Sequence, residues 1–127
     1  VEEIKSEFGD VLSCLYSHAS YLEITHKSVS KGNALDHYRN SMGIARENVI
    51  AIGDSENDLS MFAVAGIPIA MGNANDAVKQ AAVWVTDTNE RAGVAVALGR
   101  CAQTLWNRRA NISPFNGDAL NLAAESE

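Results

Sequence analysis

The chain has 127 residues, of which 46% are hydrophobic and 20% are charged. This length and balance fit a single globular domain with one modest core. The formal net charge of -6, from 10 basic and 16 acidic residues, argues against a protein that coats nucleic-acid phosphates, because such proteins carry clustered Lys and Arg. We therefore expect a small ligand and no nucleic-acid partner.

The cysteines and the apolar segments bear on the cellular compartment. Cys14 and Cys101 lie far apart in apolar stretches, which is typical of small core residues in a reducing compartment rather than of a disulfide or a thiol catalyst. No apolar run approaches the ~20 residues that cross a bilayer, and no basic segment precedes an apolar one at the N-terminus. The sequence predicts a cytoplasmic protein with no membrane partner.

The first part of the chain predicts a β-hairpin. Residues 11–16 and 21–25 are rich in β-forming side chains, and the turn-like residues 18–20 separate them. After Ser30 the pattern changes, and a helix that stops at Gly43 is predicted from its apolar face. That face comprises Ala34, Leu35, Tyr38 and Met42.

Strands and helices alternate through the following residues. Short apolar runs at 49–52, 67–71 and 84–86 predict strands, and the first has the unbroken apolar character of a strand buried on both faces. Helices are predicted from Leu59 to Gly66, from Asn75 to Ala82 and, after the last strand, along Val94, Leu98, Cys101 and Leu105. This βαβαβα order is typical of an α/β fold with a Rossmann-like parallel sheet, which binds ligands beyond the carboxyl ends of its strands.

The most distinctive chemical pattern follows the first strand of this sheet and reads Gly53-Asp54-Ser55-Glu56-Asn57-Asp58. Three carboxylates crowded into one turn repel one another and stay ionised most readily around a cation, and oxygen ligands suit a hard ion such as Mg²⁺. Gly53 is expected to let the backbone turn tightly. The same residues match a capping box, in which Ser55 and Asp58 satisfy the first N–H groups of a helix. Spacing alone leaves both interpretations open.

A second pattern is the position of Lys31 at the start of the helix after Ser30. A cation at a helix N-terminus opposes the helix dipole, so the position is slightly unfavourable unless an anion lies nearby. A bound phosphate would remove that penalty. The alternative is an ordinary solvated surface lysine.

Three segments together resemble a known family. Residues 29–35 (VSKGNAL), 49–61 (VIAIGDSENDLSM) and 70–74 (AMGNA) resemble the C-terminal half of a haloacid-dehalogenase-superfamily phosphatase of the Cof type. The resemblance runs in order from about Tyr21 to about Gly99. A lysine element and a GDxxND element, each on the appropriate strand or helix, are far more specific together than either is alone.

The resemblance implies a role for four residues and a cofactor, Mg²⁺. Lys31 matches the catalytic lysine that contacts the transferred phosphoryl group, and Asp54 matches the acidic Mg²⁺ ligand. Asn57 matches the asparagine that hydrogen-bonds the substrate phosphate. Asp58 matches the second acid of the loop, which positions the lysine or a metal-bound water. Such groups stabilise the negative charge of a phosphoryl group in transfer.

The resemblance also implies a division of the chain. Residues 1–28 look like the end of the family's cap domain, a remnant β-hairpin with its linker. Residues 29–106 look like the later half of the hydrolase core, in which the loop at 72–75 is expected to be structural. Residues 107–127 have no apolar period and are predicted to be a tail.

The chain departs from the family in one respect. The family's nucleophile is the first Asp of an Asp-x-Asp element, and none of the seven aspartates here has an Asp two positions later. Glu56, on the metal loop, is a poor substitute because it does not lie on the strand from which attack would begin. We therefore predict that this chain alone does not hydrolyse phosphate esters, and that an incomplete sheet edge favours self-association or swapping.

Two hypotheses of different class follow. In the first, the chain is a piece of a complete Mg²⁺-dependent phosphatase that acts on small phosphorylated metabolites, such as sugar phosphates, through a phospho-aspartyl intermediate. The absence of Met at position 1 favours this hypothesis. In the second, it is a shortened, non-catalytic protein of the same fold that binds phosphate or a partner protein. A nucleotide-binding module is disfavoured because the sequence has neither of the usual glycine-rich phosphate loops.

Overall fold

The N-terminal part of the chain is a short helix followed by a hairpin. The structure is a computed structural model that describes residues 1–18 and 20–110. Helix α1 (Glu2–Phe8) precedes strands β1 (Leu12–His18) and β2 (Tyr21–His26), which pair antiparallel. The predicted hairpin is therefore confirmed. Helix α1 was not predicted, because it buries none of its side chains and so leaves no apolar period in the sequence.

A parallel sheet of three strands carries the rest of the described fold. Strands β3 (Ile50–Gly53), β4 (Ile67–Ala70) and β5 (Trp84–Val85) are hydrogen-bonded in that order, and both pairings are parallel. All three strands were predicted. Within the described residues β3 pairs with β4 on one side and forms the opposite edge of the sheet. The α/β parallel-sheet class predicted from the sequence is confirmed.

Four helices flank this sheet: α2 (Lys31–Ser41), α3 (Leu59–Val64), α4 (Asp76–Gln80) and α5 (Gly93–Ala110). Ser30 caps α2 by accepting from the Asn33 N–H, and the predicted stop at Gly43 has a φ of 66°. Short 3-10 turns lie at Arg46–Asn48, Glu56–Asp58 and Asn89–Arg91. Helix α5 includes residues 107–110 of the predicted tail, and the rest of that tail lies outside the described residues.

The core has two parts, one on each face of the sheet. On one face, Val49, Ala51 and Ala70 pack with Phe62 and Val78, and Leu35 of α2 lies against them. On the other face, the α5 residues Ala97 and Cys101 pack against a cluster of sheet residues: Ile50, Ile52, Ile67, Ile69 and Trp84. Helices on both faces are what a parallel sheet requires, because both of its surfaces are apolar.

The contact faces of the two long helices differ from those predicted. On α2, Tyr38 is 61% exposed and Ala34 is also exposed, and Met42, just after the helix, is 59% exposed. Leu35 alone of the predicted face reaches the core. On α5, Val94, Leu98 and Leu105 are exposed, whereas Cys101 is buried as expected. The reason is the same in both: small residues, Gly32 on α2 and Ala97 on α5, let the helix approach closely, and the large apolar residues point elsewhere.

Two further features agree with the sequence analysis. Cys14 and Cys101 are both buried and free, as expected for small core residues. Among the residues the structure describes, no helix is both long enough and apolar enough to cross a membrane.

Candidate active site

The four residues assigned to the site from the sequence gather where β3 ends. Asp54 follows β3 directly, and the 3-10 turn after it carries Asn57 and Asp58. Lys31, the first residue of α2, extends to this turn from a segment far earlier in the chain. The carboxyl end of a parallel strand is where ligands bind in folds of this type, so the location agrees with a binding site.

Lys31 and Asp58 form the central contact of the site. The ammonium nitrogen Nζ of Lys31 lies 2.5 Å from Oδ1 of Asp58. The Lys31 side chain is 49% exposed while that of Asp58 is 6% exposed, so a buried anion holds a cation that still faces solvent. The Asp58 carboxylate therefore supplies a negative charge close to Lys31, which offsets the unfavourable helix dipole at the start of α2.

The other oxygen of Asp58 organises the loop. Its Oδ2 accepts hydrogen bonds from the backbone N–H groups of Asp54, at 3.0 Å, and Ser55, at 3.1 Å. Burial acts to raise the pKa of Asp58, but the hydrogen bonds from Lys31 and from these two N–H groups outweigh it and hold the pKa below its usual value. At neutral pH the Asp58 carboxylate is therefore ionised, and it holds the loop and the lysine together.

Gly53 is required by space rather than by an unusual backbone angle. A Cβ atom added to it would lie 2.5 Å from the Cβ of Asp58 and 2.7 Å from its Cγ, which is closer than carbon atoms pack. The sequence analysis explained Gly53 by a tight turn, and the structure gives a different reason. The Asp58 side chain folds back over the end of β3 and occupies the place of a side chain at position 53.

Asn57 and Ser60 complete the lysine side of the site. Oδ1 of Asn57 accepts a hydrogen bond from Lys31 Nζ at 3.3 Å. The Ser60 hydroxyl accepts from the Gly32 N–H at 3.0 Å and donates to the Asn57 carbonyl at 3.2 Å, so it joins the start of α2 to the loop. Sequence analysis missed Ser60. Its position two residues beyond the GDxxND element was the available signal.

Asp54 is placed differently from Asp58. It is exposed, and its carboxylate accepts from the Ser55 hydroxyl at 3.1 Å and from the Asn73 side-chain amide at 3.3 Å. Asn73 lies in the loop after β4, which was expected to be structural only. The contact with Asp54 makes this loop part of the site.

The residues present fit a metal that is held in part by water and substrate. Within residues 1–18 and 20–110, no three His, Cys, Asp or Glu side chains are grouped so that they could hold a metal ion by themselves. The Asp58 carboxylate is buried against the lysine and the loop, whereas the Asp54 carboxylate, directly after β3, is exposed. Mg²⁺ is commonly bound through one or two carboxylates together with waters and substrate phosphates, so a donor set centred on Asp54 suits it.

The two interpretations that spacing left open apply to different residues. Ser55 and Asp58 do form a capping box at the start of the 3-10 turn. Asp54 takes no part in that capping box, and its carboxylate stays at the surface. Helix capping thus accounts for Asp58 in part, but it explains neither the ion pair with Lys31 nor the exposed acid beside it.

The matching family agrees with this geometry. A family model of haloacid dehalogenase-like hydrolases matches residues 1–98 of the chain. The chain belongs to this family. The fold of the chain is similar to that of a solved haloacid dehalogenase-like (HAD-like) hydrolase.

Individual relatives of this HAD-like chain carry phosphatase or hydrolase names. A "putative phosphatase" of Haemophilus influenzae is 43% identical over 98 residues, which cover 77% of this chain and 37% of that protein. A haloacid dehalogenase-like hydrolase from Bacteroides thetaiotaomicron is 39% identical with a TM-score of 0.68, and the match covers 79% of this chain and 38% of that one. A sugar phosphatase of HAD subclass IIB is 28% identical with a TM-score of 0.73, covering 80% and 38%. The HAD-like chain thus spans less than half the length of these relatives.

Proposed function

We propose that this chain is the phosphate-anchoring and metal-binding part of a Mg²⁺-dependent phosphatase of the Cof type, which hydrolyses small phosphorylated metabolites such as sugar phosphates. The observation that carries the proposal is the arrangement of Lys31, Asn57 and Asp58 around one point beside the exposed Asp54. A fixed cation, an amide and an exposed carboxylate at the end of a sheet strand are groups of the kind that phosphoryl transfer needs.

Lys31 and Asn57 bind the phosphate in this proposal. Lysine has three N–H donors, and Asp58 and Asn57 accept two of them, so a donor remains for a phosphate oxygen. Because Lys31 can only donate, Asn57 must turn its Oδ1 toward Nζ, and its Nδ2 is then the end that remains for a second phosphate oxygen. Asp58 holds the lysine ammonium group in place.

Asp54 would hold the metal. When bound, Mg²⁺ supplies positive charge that polarises the phosphoryl group and orients it for in-line attack. The chain's own contribution is to hold the Asp54 carboxylate at the edge of the site, where Ser55 and Asn73 each donate a hydrogen bond to it.

The attacking carboxylate is the group that this sequence does not supply, since it has no Asp-x-Asp element. In the proposal, the nucleophile belongs to the part of the relatives that this chain does not match, and residues 1–28 and 29–106 are the end of the cap and the later core half. The non-catalytic alternative uses the same residues to bind phosphate or a partner protein without turnover.

Activity measurements separate these two functions. We expect the isolated chain to release no phosphate from p-nitrophenyl phosphate, and we expect Mg²⁺-dependent release after the upstream half of a complete family member is joined to it or added as a second chain. Turnover by the isolated chain that is lost with Asp54→Ala would contradict our account of what it lacks. An inactive joined protein that still binds phosphate would favour the non-catalytic alternative.

Metal binding is tested on the chain itself. Mg²⁺ should shift the NMR amide signals of residues 53–58, and Asp54→Ala should abolish the response. Glu56→Ala is the matched control, because Glu56 is an exposed acid on the same loop that no proposed contact uses. Unchanged spectra at high Mg²⁺ would remove the metal from the proposal.

The cytoplasmic location predicted from the sequence stays a prediction, which fractionation of the source cells would test.

A further inference from the structure

Asn73 connects the loops that follow all three strands of the parallel sheet. It lies in the loop after β4, and its side-chain Nδ2 donates to Oδ2 of Asp54, in the loop after β3, at 3.3 Å. Its Oδ1 accepts from the backbone N–H of Asn89, after β5, at 3.0 Å. One side chain therefore joins the exposed acid of the site to the far edge of the sheet.

The contact with Asn89 fixes which end of the Asn73 amide faces Asp54. A backbone N–H can only donate, so the amide oxygen must face Asn89, and the amide nitrogen is then the end that lies against the carboxylate. A flipped amide would bring its oxygen against the negatively charged Asp54. The chain thus determines the orientation of this donor before any ligand is present.

The result is a carboxylate that is restrained on both oxygens. Ser55 Oγ donates to Oδ1 of Asp54 at 3.1 Å while Asn73 donates to Oδ2. A carboxylate oxygen has two lone pairs, so each hydrogen bond leaves a further lone pair for a cation. Groups that hold a ligating side chain in this way commonly change metal affinity by 10–100-fold when removed.

We propose that Asn73 is a positioning residue for the metal site, which sets the rotation of the Asp54 carboxylate through its fixed contact with the Asn89 N–H. This inference rests on the proposed role of Asp54 as the Mg²⁺ ligand. Asn73 itself touches neither the reacting atoms nor the phosphate in this account.

The test is a Mg²⁺ titration of the ¹⁵N-labelled chain followed by NMR. In the unsubstituted chain, the side-chain NH₂ signals of Asn73 should shift together with the backbone amides of residues 53–58, because neutralising the Asp54 charge weakens the hydrogen bond that Nδ2 donates. In Asn73→Ala, the Mg²⁺ dissociation constant should rise about 10-fold or more.

Asn75→Ala is the matched control. Asn75 lies two residues along the same loop, and its side chain caps α4 by accepting from the Val78 N–H rather than contacting Asp54. Its loss should lower the melting temperature and leave the Mg²⁺ dissociation constant within about twofold of the unsubstituted value. A general weakening of the loop would instead change metal binding in both variants.

The outcomes distinguish this inference from the function on which it rests. Asn73→Ala with unchanged Mg²⁺ affinity, in a chain whose response still requires Asp54, would overturn the positioning role and leave the metal site intact. No Mg²⁺ response in the unsubstituted chain would overturn both. If Asn73→Ala does not fold, the Asn73 side-chain signals of the unsubstituted chain decide: signals that stay still while residues 53–58 shift would also refute the inference.

Discussion

The Asp58 side chain lies where a side chain at Gly53 would be, with 2.5 Å between its Cβ and the position of the missing Cβ. Gly53→Ala should therefore push Asp58 away from Lys31 and lower the free energy of unfolding by about 1–3 kcal/mol, the usual range for overpacking. Urea denaturation measures the change. Gly99→Ala is the control, because Gly99 lies in α5 with open space around it, and Ala there should stabilise by up to about 1 kcal/mol. Equal stability of Gly53→Ala and the unsubstituted chain would contradict the crowding.

The depressed pKa of Asp58 predicts how the stability depends on pH. The folded-state pKa lies below the unfolded value of about 3.8, so the unfolded chain binds the proton more readily. The contribution of the ionised Asp58 is then fully present above the unfolded pKa and is lost as the pH falls through the folded pKa. The unsubstituted chain should exceed Asp58→Asn by about 1–3 kcal/mol near neutral pH, and this difference should shrink below about pH 4.

Urea denaturation between pH 3 and pH 7 checks this dependence. Lys31→Met should reduce it, since the lysine supplies one of the hydrogen bonds that lower the pKa of Asp58. A difference between the unsubstituted chain and Asp58→Asn that grows on acidification would have the wrong sign and would rule out an ionised Asp58 that holds the loop and the lysine together.

Lys31→Ala should affect turnover far more than folding in a complete enzyme that contains this chain. Half of the Lys31 side chain is exposed, and Asp58 keeps its two backbone donors when the lysine is removed, so the loss of stability should be modest. Loss of one charged donor to a phosphoryl group typically lowers kcat by about 10²–10³-fold. Steady-state kinetics and thermal unfolding on the same samples compare the two effects.

Lys27→Ala is the matched control for that measurement. Lys27 is an exposed lysine in the segment between the hairpin and α2, and its removal should change kcat little. Near-normal turnover by Lys31→Ala would indicate that Lys31 is an ordinary surface lysine.

The open edge of β3 and the exposed apolar residues of α5 predict that the isolated chain self-associates. Val94 and Leu98 are 48% and 52% exposed on the helix that covers one face of the sheet. Unpaired strand edges and apolar patches of this kind promote association. Light scattering should show a mass that rises with concentration, and Leu98→Gln should weaken the association. Tyr38→Gln is the control, because Tyr38 is an exposed apolar residue of α2, on the other face of the sheet, and its replacement should leave the association unchanged. A monomer at every concentration would contradict the prediction.

Secondary-structure elements were predicted correctly where the residue types and the hydrophobic period indicated the same structure. The strands, the hairpin and the helix stop at Gly43 follow from apolar patterns and turn residues. The contact between Lys31 and Asp58 agrees with what the family resemblance implies for these two residues. Residues whose hydrogen bonds join segments distant in sequence were not predicted. Ser60 and Asn73 are single polar side chains in loops or short helices, and their importance appears only when segments distant in sequence are brought together.

The predicted contact faces of α2 and α5 were wrong for a physical reason that patterns of hydrophobicity do not capture. The period analysis weights large apolar residues such as Val94 and Tyr38, whereas the closest contacts are made by small ones, because these permit close approach of two backbones. The missing Cβ of Gly32 would lie 2.1 Å from the Ser60 carbonyl oxygen. A glycine contributes nothing to an apolar period, yet here it marks where α2 meets α3.

The contacts that assemble the site all lie within residues 31–89, although they join segments that are distant in sequence. Those from Lys31 and Gly32 span 26 to 28 residues, and those through Asn73 span 19 and 16. Differences in loop length of this size change the entropic penalty little, because the penalty grows only with the logarithm of loop length. During synthesis on a ribosome, the segments that carry the lysine, the acidic loop and the amide therefore all emerge before α5, the helix that covers one face of their sheet.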